Sequence, residues 1–488
     1  MNTIFAHCSG VGKSGVAVYR ISGPSSIIAL EKLINSSADK MQARFMYFRK
    51  IFNPVTGEQI DEAMVVYFKG SSSFTGEDSV EIHVHGSIAV IKLLNEALLG
   101  IDDLRLAEAG EFARRAFLNG KFDLTAAEGL ADLIDAETSA QHKQAIRQLG
   151  GGLEELYGNW RGALLRVMSL LEAYIDFPDE DIPREVLDNT KNNIDNLCHE
   201  IKVHLADNNR GERLRSGLKL AIIGKPNVGK SSLMNYLLKR EAAIVSKIAG
   251  TTRDVIEGHL DIGGYPIILQ DTAGIRDDAG DEIEQIGIEK AKEIMLGADI
   301  KIIMYDGGVR EQGDDPFASS IDENSIVVFN KMDLTDLHPE EVIVVKNKDG
   351  GVLSLAKDPG LKGEVLGAKA PYFDVLYSAF RTGPLTSFRE PLHISIKTGK
   401  NLDKLTQCIR LIAEKLANPS DNPQITRARH RAQLSRALES LQAFDIENDL
   451  VLAAEDIRMT IRYLSNITGV ITVDEILGEI FSNFCIGK

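Results

Sequence analysis

The spacing of apolar positions changes character along the chain. In residues 1–120, apolar runs at 16–21 and 63–68 read as strands and the apolar-rich stretch 88–99 reads as a helix, which makes this part α/β. From about 121 to 212 the period turns helical: Leu130, Leu133 and Ile134 share one face, as do Leu164, Met168, Leu171 and Ile175. Strand-like runs return at 218–223, 267–269 and 326–329, the first followed by a helical segment at 232–238. Helical spacing resumes with Leu434, Leu438 and Leu441 and continues to the C-terminus. Neither flank can leave its apolar stripe in water. The economical arrangement is therefore one helical domain built from both flanks, 121–212 and 419–488, around an inserted domain at 213–418. Between the last two motifs of that insert, residues 346–384 are rich in Gly, Lys and Pro and weakly periodic, and read as a surface insertion within about 340–390.

Bulk properties narrow the class. The chain has 488 residues, enough for about three domains, and 44% hydrophobic with 26% charged residues is a globular composition. No apolar run reaches the roughly 18 residues that span a membrane, and the N-terminus carries neither a basic-then-apolar signal nor an Arg-rich transit pattern. A cytoplasmic protein without a membrane anchor is expected. The four cysteines, Cys8, Cys198, Cys408 and Cys485, lack the paired spacing of a zinc site or disulfide framework. A net charge of −16 excludes general coating of nucleic acid, so any RNA contact is local or shared with a partner. The densest basic cluster, Arg427, Arg429, His430 and Arg431, reads first as a solvated helix start and second as an RNA contact.

The chemistry sits in the insert. The strand at 218–223 runs into Gly224-Lys225-Pro226-Asn227-Val228-Gly229-Lys230-Ser231 and then a helix beginning near Ser232. Glycines at both ends let backbone N–H groups turn inward around a polyphosphate, Lys230 meets its outer phosphates, and the Ser231 hydroxyl suits magnesium. The helix start adds the positive end of its dipole. Further motifs follow in order: Thr251-Thr252, then Asp271-Thr272-Ala273-Gly274 after the second strand, then Asn330-Lys331-Met332-Asp333 after the third. Thr252 can complete the magnesium shell, Asp271 can hold the ion through water, and the Gly274 N–H can meet a γ-phosphate. The Asp333 carboxylate is an acceptor-only fork matched to the N1–H and amino group of guanine, whereas adenine would leave it unpaired. The nucleotide is therefore GTP. Ser395-Ile396-Lys397 stands at the guanine end, with a backbone N–H for O6. The insert is expected to be a Ras-like P-loop domain. A shorter echo, Gly10-Val11-Gly12-Lys13-Ser14, has His7 at the opening glycine position and no strand of useful length before it, so no second nucleotide site is expected there.

The ends of the chain carry a more specific pattern. Ser73-Phe74-Thr75-Gly76-Glu77-Asp78, the run from Gly110-Glu111-Phe112-Ala113-Arg114-Arg115 to Lys121, Ile175-Asp176-Phe177-Pro178-Asp179-Glu180 and the terminal Phe484-Cys485-Ile486-Gly487-Lys488 resemble the MnmE (TrmE) family of tRNA modification GTPases essentially end to end. The resemblance implies a tetrahydrofolate-binding and dimerisation domain at 1–120. It also implies a homodimer and a heterotetramer with the flavoprotein MnmG (GidA). Together they would build a carboxymethylaminomethyl or aminomethyl group on C5 of the tRNA wobble uridine. The one-carbon carrier would be 5-formyltetrahydrofolate or methylenetetrahydrofolate, with FAD on the partner. The family's folate site maps to Arg20, Glu81, Lys121 and Lys488; a carboxylate suits a pterin edge, and cations suit the glutamate tail. Cys485 is either a nucleophile activated by a cationic neighbour or a residue that packs the tail, and the packing reading is favoured.

The same resemblance bears on hydrolysis. Ile275 follows the Asp-x-x-Gly motif where many Ras-like enzymes place glutamine, and the family assigns the water-orienting task to an acidic residue that maps onto Glu284. Charge developing at the β- and γ-phosphates would be offset by potassium in place of an arginine finger. The matching ligand positions are Asn227, Ser246, Ile248 and Thr251, and the GTP domains of a dimer would meet on activation. Two rivals remain: a ribosome-assembly or regulatory switch GTPase without modification chemistry, and a folate-binding scaffold with a vestigial GTP site.

Overall fold

The computed structural model describes residues 2–10, 12–177, 183–240, 258–270, 293–307, 317, 321–334, 344–346, 352–354, 391–418, 422–447, 449–470, 474–482, 484 and 487. These fall into two compact units. One comprises residues 1–134, 145–205 and 429–488; the other comprises 135–144 and 206–428.

The first unit opens with a six-stranded sheet in the order β3-β4-β5-β2-β1-β6. Its strands are β1 (Thr3–His7), β2 (Ser14–Ser22), β3 (Met46–Phe52), β4 (Gln59–Phe68), β5 (Ser79–Gly86) and β6 (Leu104–Leu106). Only the β1–β6 pair is parallel. The strands expected at 16–21 and 63–68 are β2 and β4, and the expected helix is Ile88–Leu99. Alternation puts Tyr19, Ile21, Val65, Val80 and Ile82 on one face, where they pack against Ala29, Leu30 and Leu33 of the helix Ser26–Ile34 and Leu94, Ala97 and Leu98 of Ile88–Leu99. Arg20 pairs with Glu81 across β2 and β5 and faces the opposite side. There Ile4, Ala6, Ala107 and Phe112 form a smaller cluster, with Cys8 and Phe74 against it. The Gly10–Ser14 segment leads from β1 into an antiparallel strand and no helix, so it lacks the geometry of a phosphate loop.

The flanking segments are helical: Leu124–Asp135, Ser139–Leu149, Gly152–Asp176 and Arg184–Leu205 before the insert, then Ala428–Ala443, Leu450–Thr468 and Asp474–Ser482 after it. Leu164, Met168 and Leu171 are buried as the spacing predicts, and so are Leu434 and Leu441. The first helix differs. Its buried residues are Leu124 to Gly129, while Leu130 and Leu133 are half-buried and Ile134 is exposed. The cause is a buried charge cluster. Arg429 Nε donates to Glu128 Oε1 at 2.7 Å, His430 Nε2 lies 2.8 Å from Glu128 Oε2, and Arg429 also reaches the carbonyls of Asn466 and Ile467. Gly129 is required beside it, because a Cβ would stand 2.6 Å from Leu149 N. Arg431 donates to the Leu205 carbonyl. Arg429 and Arg431 thus bond within the protein, which corrects the reading of a solvated helix start. Trp160, on Gly152–Asp176, donates its indole N–H to Glu200 Oε2 at 2.7 Å and packs edge-on against His204.

The second unit is a sheet in the order β14-β11-β10-β7-β9-β8, parallel except for the β8–β9 hairpin. Its strands are β7 (Leu218–Gly224), β8 (Gly258–Ile262), β9 (Tyr265–Gln270), β10 (Ile300–Asp306), β11 (Ser325–Asn330) and β14 (Leu392–His393). The central strands are near-continuous apolar runs because both faces are covered. Residues 135–144, placed by spacing in the helical flank, pack here instead: Ala140 joins the core, Ala140 N donates to Gly264 O, and Gln144 Nε2 donates to Gly211 O. Within the surface insertion expected at about 340–390, Val344–Lys346 (β12) and Val352–Ser354 (β13) pair as an antiparallel hairpin.

Candidate functional site: a phosphate loop and a paired carboxylate

The phosphate loop follows β7 and ends at the helix Lys230–Arg240. Its glycines are forced by packing. A Cβ on Gly224 would collide with the Met304 carbonyl of the neighbouring strand, and one on Gly229, at φ +108°, would collide with Asn330 Nδ2. Asn227 holds a left-handed backbone, φ 63°, which asparagine tolerates better than most residues. Val228 is buried beneath the loop, and Ser231 and Ser232 are exposed at the helix start. Lys230 Nζ donates to the Gly224 and Lys225 carbonyls at 2.9 and 2.8 Å, so the ammonium lies across the loop opening.

The residues that the sequence assigns to guanine are brought to the same loop. Asn330 Nδ2 donates to Val228 O at 2.8 Å, which fastens the end of β11 to the phosphate loop. Ser395 Oγ donates to Asp333 Oδ1 at 2.7 Å, and Lys397 Nζ stands 4.0 Å from Oδ2. The Ser395 hydrogen bond is the main reason that the Asp333 carboxyl sits below its ordinary value, so it is ionised as guanine recognition requires. Lys331 adopts φ 64° and pairs with Asp306 at 2.7 Å. One expectation is altered. The Ile396 N–H, one of the backbone donors of Ser395-Ile396-Lys397 expected to be available for guanine O6, is directed at Asn330 Oδ1 at 3.3 Å, a long bond that a better acceptor can displace.

A second constellation lies on the open face of the N-terminal sheet. Arg20 Nε and Nη2 both donate to Glu81 Oε1, at 3.0 and 2.9 Å, and His83 Nε2 lies 3.6 Å from Oε2. Among the described residues Oε2 takes no hydrogen bond, which leaves it for a ligand donor. The Arg20 guanidinium faces the rings of Phe74 and Phe112, 5.0 and 5.6 Å from their centroids. Lys121 Nζ donates to Ser71 O at 2.6 Å. Gly487 is buried, at φ +104°, where a Cβ would stand 2.6 Å from the His7 carbonyl at the end of β1.

Comparison with known proteins shows the family. A family model described as GTP-binding protein TrmE N-terminus matches residues 3–121, and one described as MnmE helical domain matches 124–485. The chain is 53% identical over its whole length, and over the whole length of the relative, to a tRNA modification GTPase MnmE of Rickettsia canadensis, and 52% identical on the same terms to that of Rickettsia typhi. The chain belongs to the MnmE family. Among solved structures, the match to a probable GTP-binding protein engB covers 40% of this chain and 99% of that one, at 18% identity and a TM-score of 0.23.

As an MnmE-family chain it is a GTPase, and the P-loop, Asn330 and Asp333 lie in its nucleotide unit. Several residues assigned from motifs lie outside the described residues: Ser246, Ile248, Thr251, Thr252, Asp271, Thr272, Ala273, Gly274, Glu284, Cys485 and Lys488. Among the described residues no group of three or more His, Cys, Asp or Glu side chains could hold a metal ion, and no helix is long and apolar enough to cross a membrane. The described cysteines Cys8, Cys198 and Cys408 are free thiols. Sequence reasoning missed Phe74 and Phe112 as neighbours of Arg20, and Arg115 as the link between Glu77 and Glu111 behind them. Their signal was present in the Ser73–Asp78 and Gly110–Arg115 motifs, which marked a family without indicating what the side chains touch.

Proposed function

We propose that this chain hydrolyses GTP to drive or gate a tRNA modification. With the flavoprotein MnmG (GidA) it adds a carboxymethylaminomethyl or aminomethyl group to C5 of the wobble uridine. The carbon comes from a tetrahydrofolate carrier held by Arg20, Glu81, Lys121 and Lys488, with FAD on the partner. The observation that carries this reading is the Glu81 carboxylate, oriented by Arg20 through one oxygen only, on a sheet face where a switch GTPase has no need of it.

The residues divide the work. Asp333, fixed by Ser395, reads guanine; the N–H groups of 227–232 and the Lys230 ammonium hold the phosphates. Glu284 orients the attacking water. Ser231 and Thr252 fit magnesium, and Asn227, Ser246, Ile248 and Thr251 supply amide, hydroxyl and carbonyl oxygens of the kind potassium takes. Those two ions, when bound, offset charge that builds on the phosphates. Lys230, held to the Gly224 and Lys225 carbonyls, brings its positive charge to the loop that would cradle the phosphates. The protein acts as a homodimer and, with MnmG, as a heterotetramer.

The test compares GTP turnover in potassium and in sodium, alongside binding of 5-formyltetrahydrofolate to the full chain and to one lacking its last four residues. Potassium-dependent turnover with folate binding lost on truncation is expected. Equal turnover in both salts with no folate binding would replace this reading with a switch GTPase.

A further inference from the structure

Two motifs that marked the family have no ligand role in the function proposed above, apart from Lys121. Their side chains nevertheless converge on the cation beside Glu81. Phe74, from the loop 70–78, and Phe112, from the helix Glu111–Leu118, present their rings to the Arg20 guanidinium at 5.0 and 5.6 Å. Both distances are within the roughly 6 Å at which a ring face attracts a cation. An arginine side chain is long and rotatable, so two hydrogen bonds to a single oxygen leave its plane loosely fixed. Two rings restrict that plane, and the plane in turn orients the Glu81 carboxylate.

Phe74 has a second neighbour. Its ring centroid is 6.0 Å from that of Phe122, the residue after Lys121, while Lys121 itself bonds to Ser71 O in the loop that carries Phe74. One half-buried ring therefore stands between Arg20 and the chain bearing Lys121. The loop is held from behind. Arg115 donates to Glu77 at 3.0 Å and to Glu111 at 2.9 Å, joining the segment that carries Phe74 to the one that carries Phe112. Asn119 Nδ2 donates to Thr75 O at 2.7 Å, and Ser22, two residues beyond Arg20 on β2, donates to Glu77 Oε2 at 2.8 Å.

We propose that Phe74 is a positioning residue of the carrier site, acting through Arg20 to set the Glu81 carboxylate before the ligand arrives. The proposal rests on the folate reading of that site. Phe112 is wholly buried and belongs to a core cluster, so it is a poor place to test the idea; Phe74 is the better one.

Phe74→Leu keeps apolar bulk and removes the ring face, whereas Phe74→Tyr keeps the face. Binding of 5-formyltetrahydrofolate to the full chain is measured by calorimetry. In parallel, protein labelled with [15N]arginine reports hydrogen exchange at the Arg20 Nε–H, assigned with Arg20→Met. Phe74→Leu should weaken binding about fivefold to thirtyfold and speed Nε–H exchange. Phe74→Tyr should stay within about twofold of the parent, and in the Arg20→Met background Phe74→Leu should add less than about twofold. Unchanged Arg20 exchange in Phe74→Leu overturns the proposal, as does an equal loss of affinity in the Arg20→Met background. If the parent protein binds no folate, the functional reading falls, and the exchange comparison still decides whether Phe74 fixes Arg20.

Discussion

At the scale of single residues, the guanine end shows how selectivity is prepared before a ligand arrives. Ser395 is wholly buried and spends its hydroxyl on one oxygen of Asp333. The remaining oxygen, 4.0 Å from Lys397 Nζ, and the spare lone pairs are acceptors for the base proposed to bind here. Asp333→Asn replaces part of that fork by a donor, which clashes with the guanine amino group and suits a base with oxygen at C2. GTP affinity should fall by about fivefold to 150-fold, from about 1 to 3 kcal/mol for a mispaired buried group, while xanthosine triphosphate binding rises. Equilibrium binding of the two nucleotides checks this; equal losses for both would mean that Asp333 does not read the base. These residues were legible in the sequence because phosphate and guanine chemistry dictate residue type at short spacing. The Arg20–Glu81 pair was not legible from spacing, since 61 positions separate its members and only the β2–β5 register brings them together.

At the scale of elements, periodicity located helices better than their buried sides. The helix Leu124–Asp135 carries Leu130, Leu133 and Ile134, yet it turns Glu128 inward because Arg429 and His430 meet that carboxylate. Those partners lie 301 and 302 positions away, beyond any window of hydrophobic spacing. Burial alone would raise the Glu128 carboxyl, but the histidine and arginine reverse the direction and hold it well below the ordinary carboxylate range. Removing the carboxylate takes away the buried acceptor shared by the Arg429 guanidinium and His430 Nε2. Glu128→Ala should therefore destabilise the first unit by about 3 to 5 kcal/mol, read as a lower urea midpoint in far-UV circular dichroism. A midpoint unchanged within error would show that the cluster contributes nothing net. The hairpin Val344–Lys346 with Val352–Ser354 was likewise hidden, because three-residue strands are too short for their alternation to register.

At the scale of the whole chain, packing moves the start of the nucleotide unit from 213 to 206 and its end from 418 to 428, and adds a segment that spacing assigned elsewhere. A nucleotide domain cut at 213–418 omits residues 135–144. With them go Ala140 from the core, the Gln144 bond to Gly211, and Glu137, which lies 3.1 Å from His259 Nδ1 on β8. A fragment spanning 206–428 alone should melt about 2 to 8 °C below the same span with 135–144 tethered back by a flexible linker. Calorimetry with GDP present measures the difference, and identical melting would show that the segment is incidental to the nucleotide unit.

Trp160 is the sole tryptophan of the chain, seated between two helices of the first unit with its N–H on Glu200. Excitation at the red edge of protein absorbance therefore addresses that unit alone, and the nucleotide unit is dark at that wavelength. Any change in emission intensity or colour on adding GTP would be news carried from one unit to the other, obtained from the unlabelled protein in a stopped-flow cuvette.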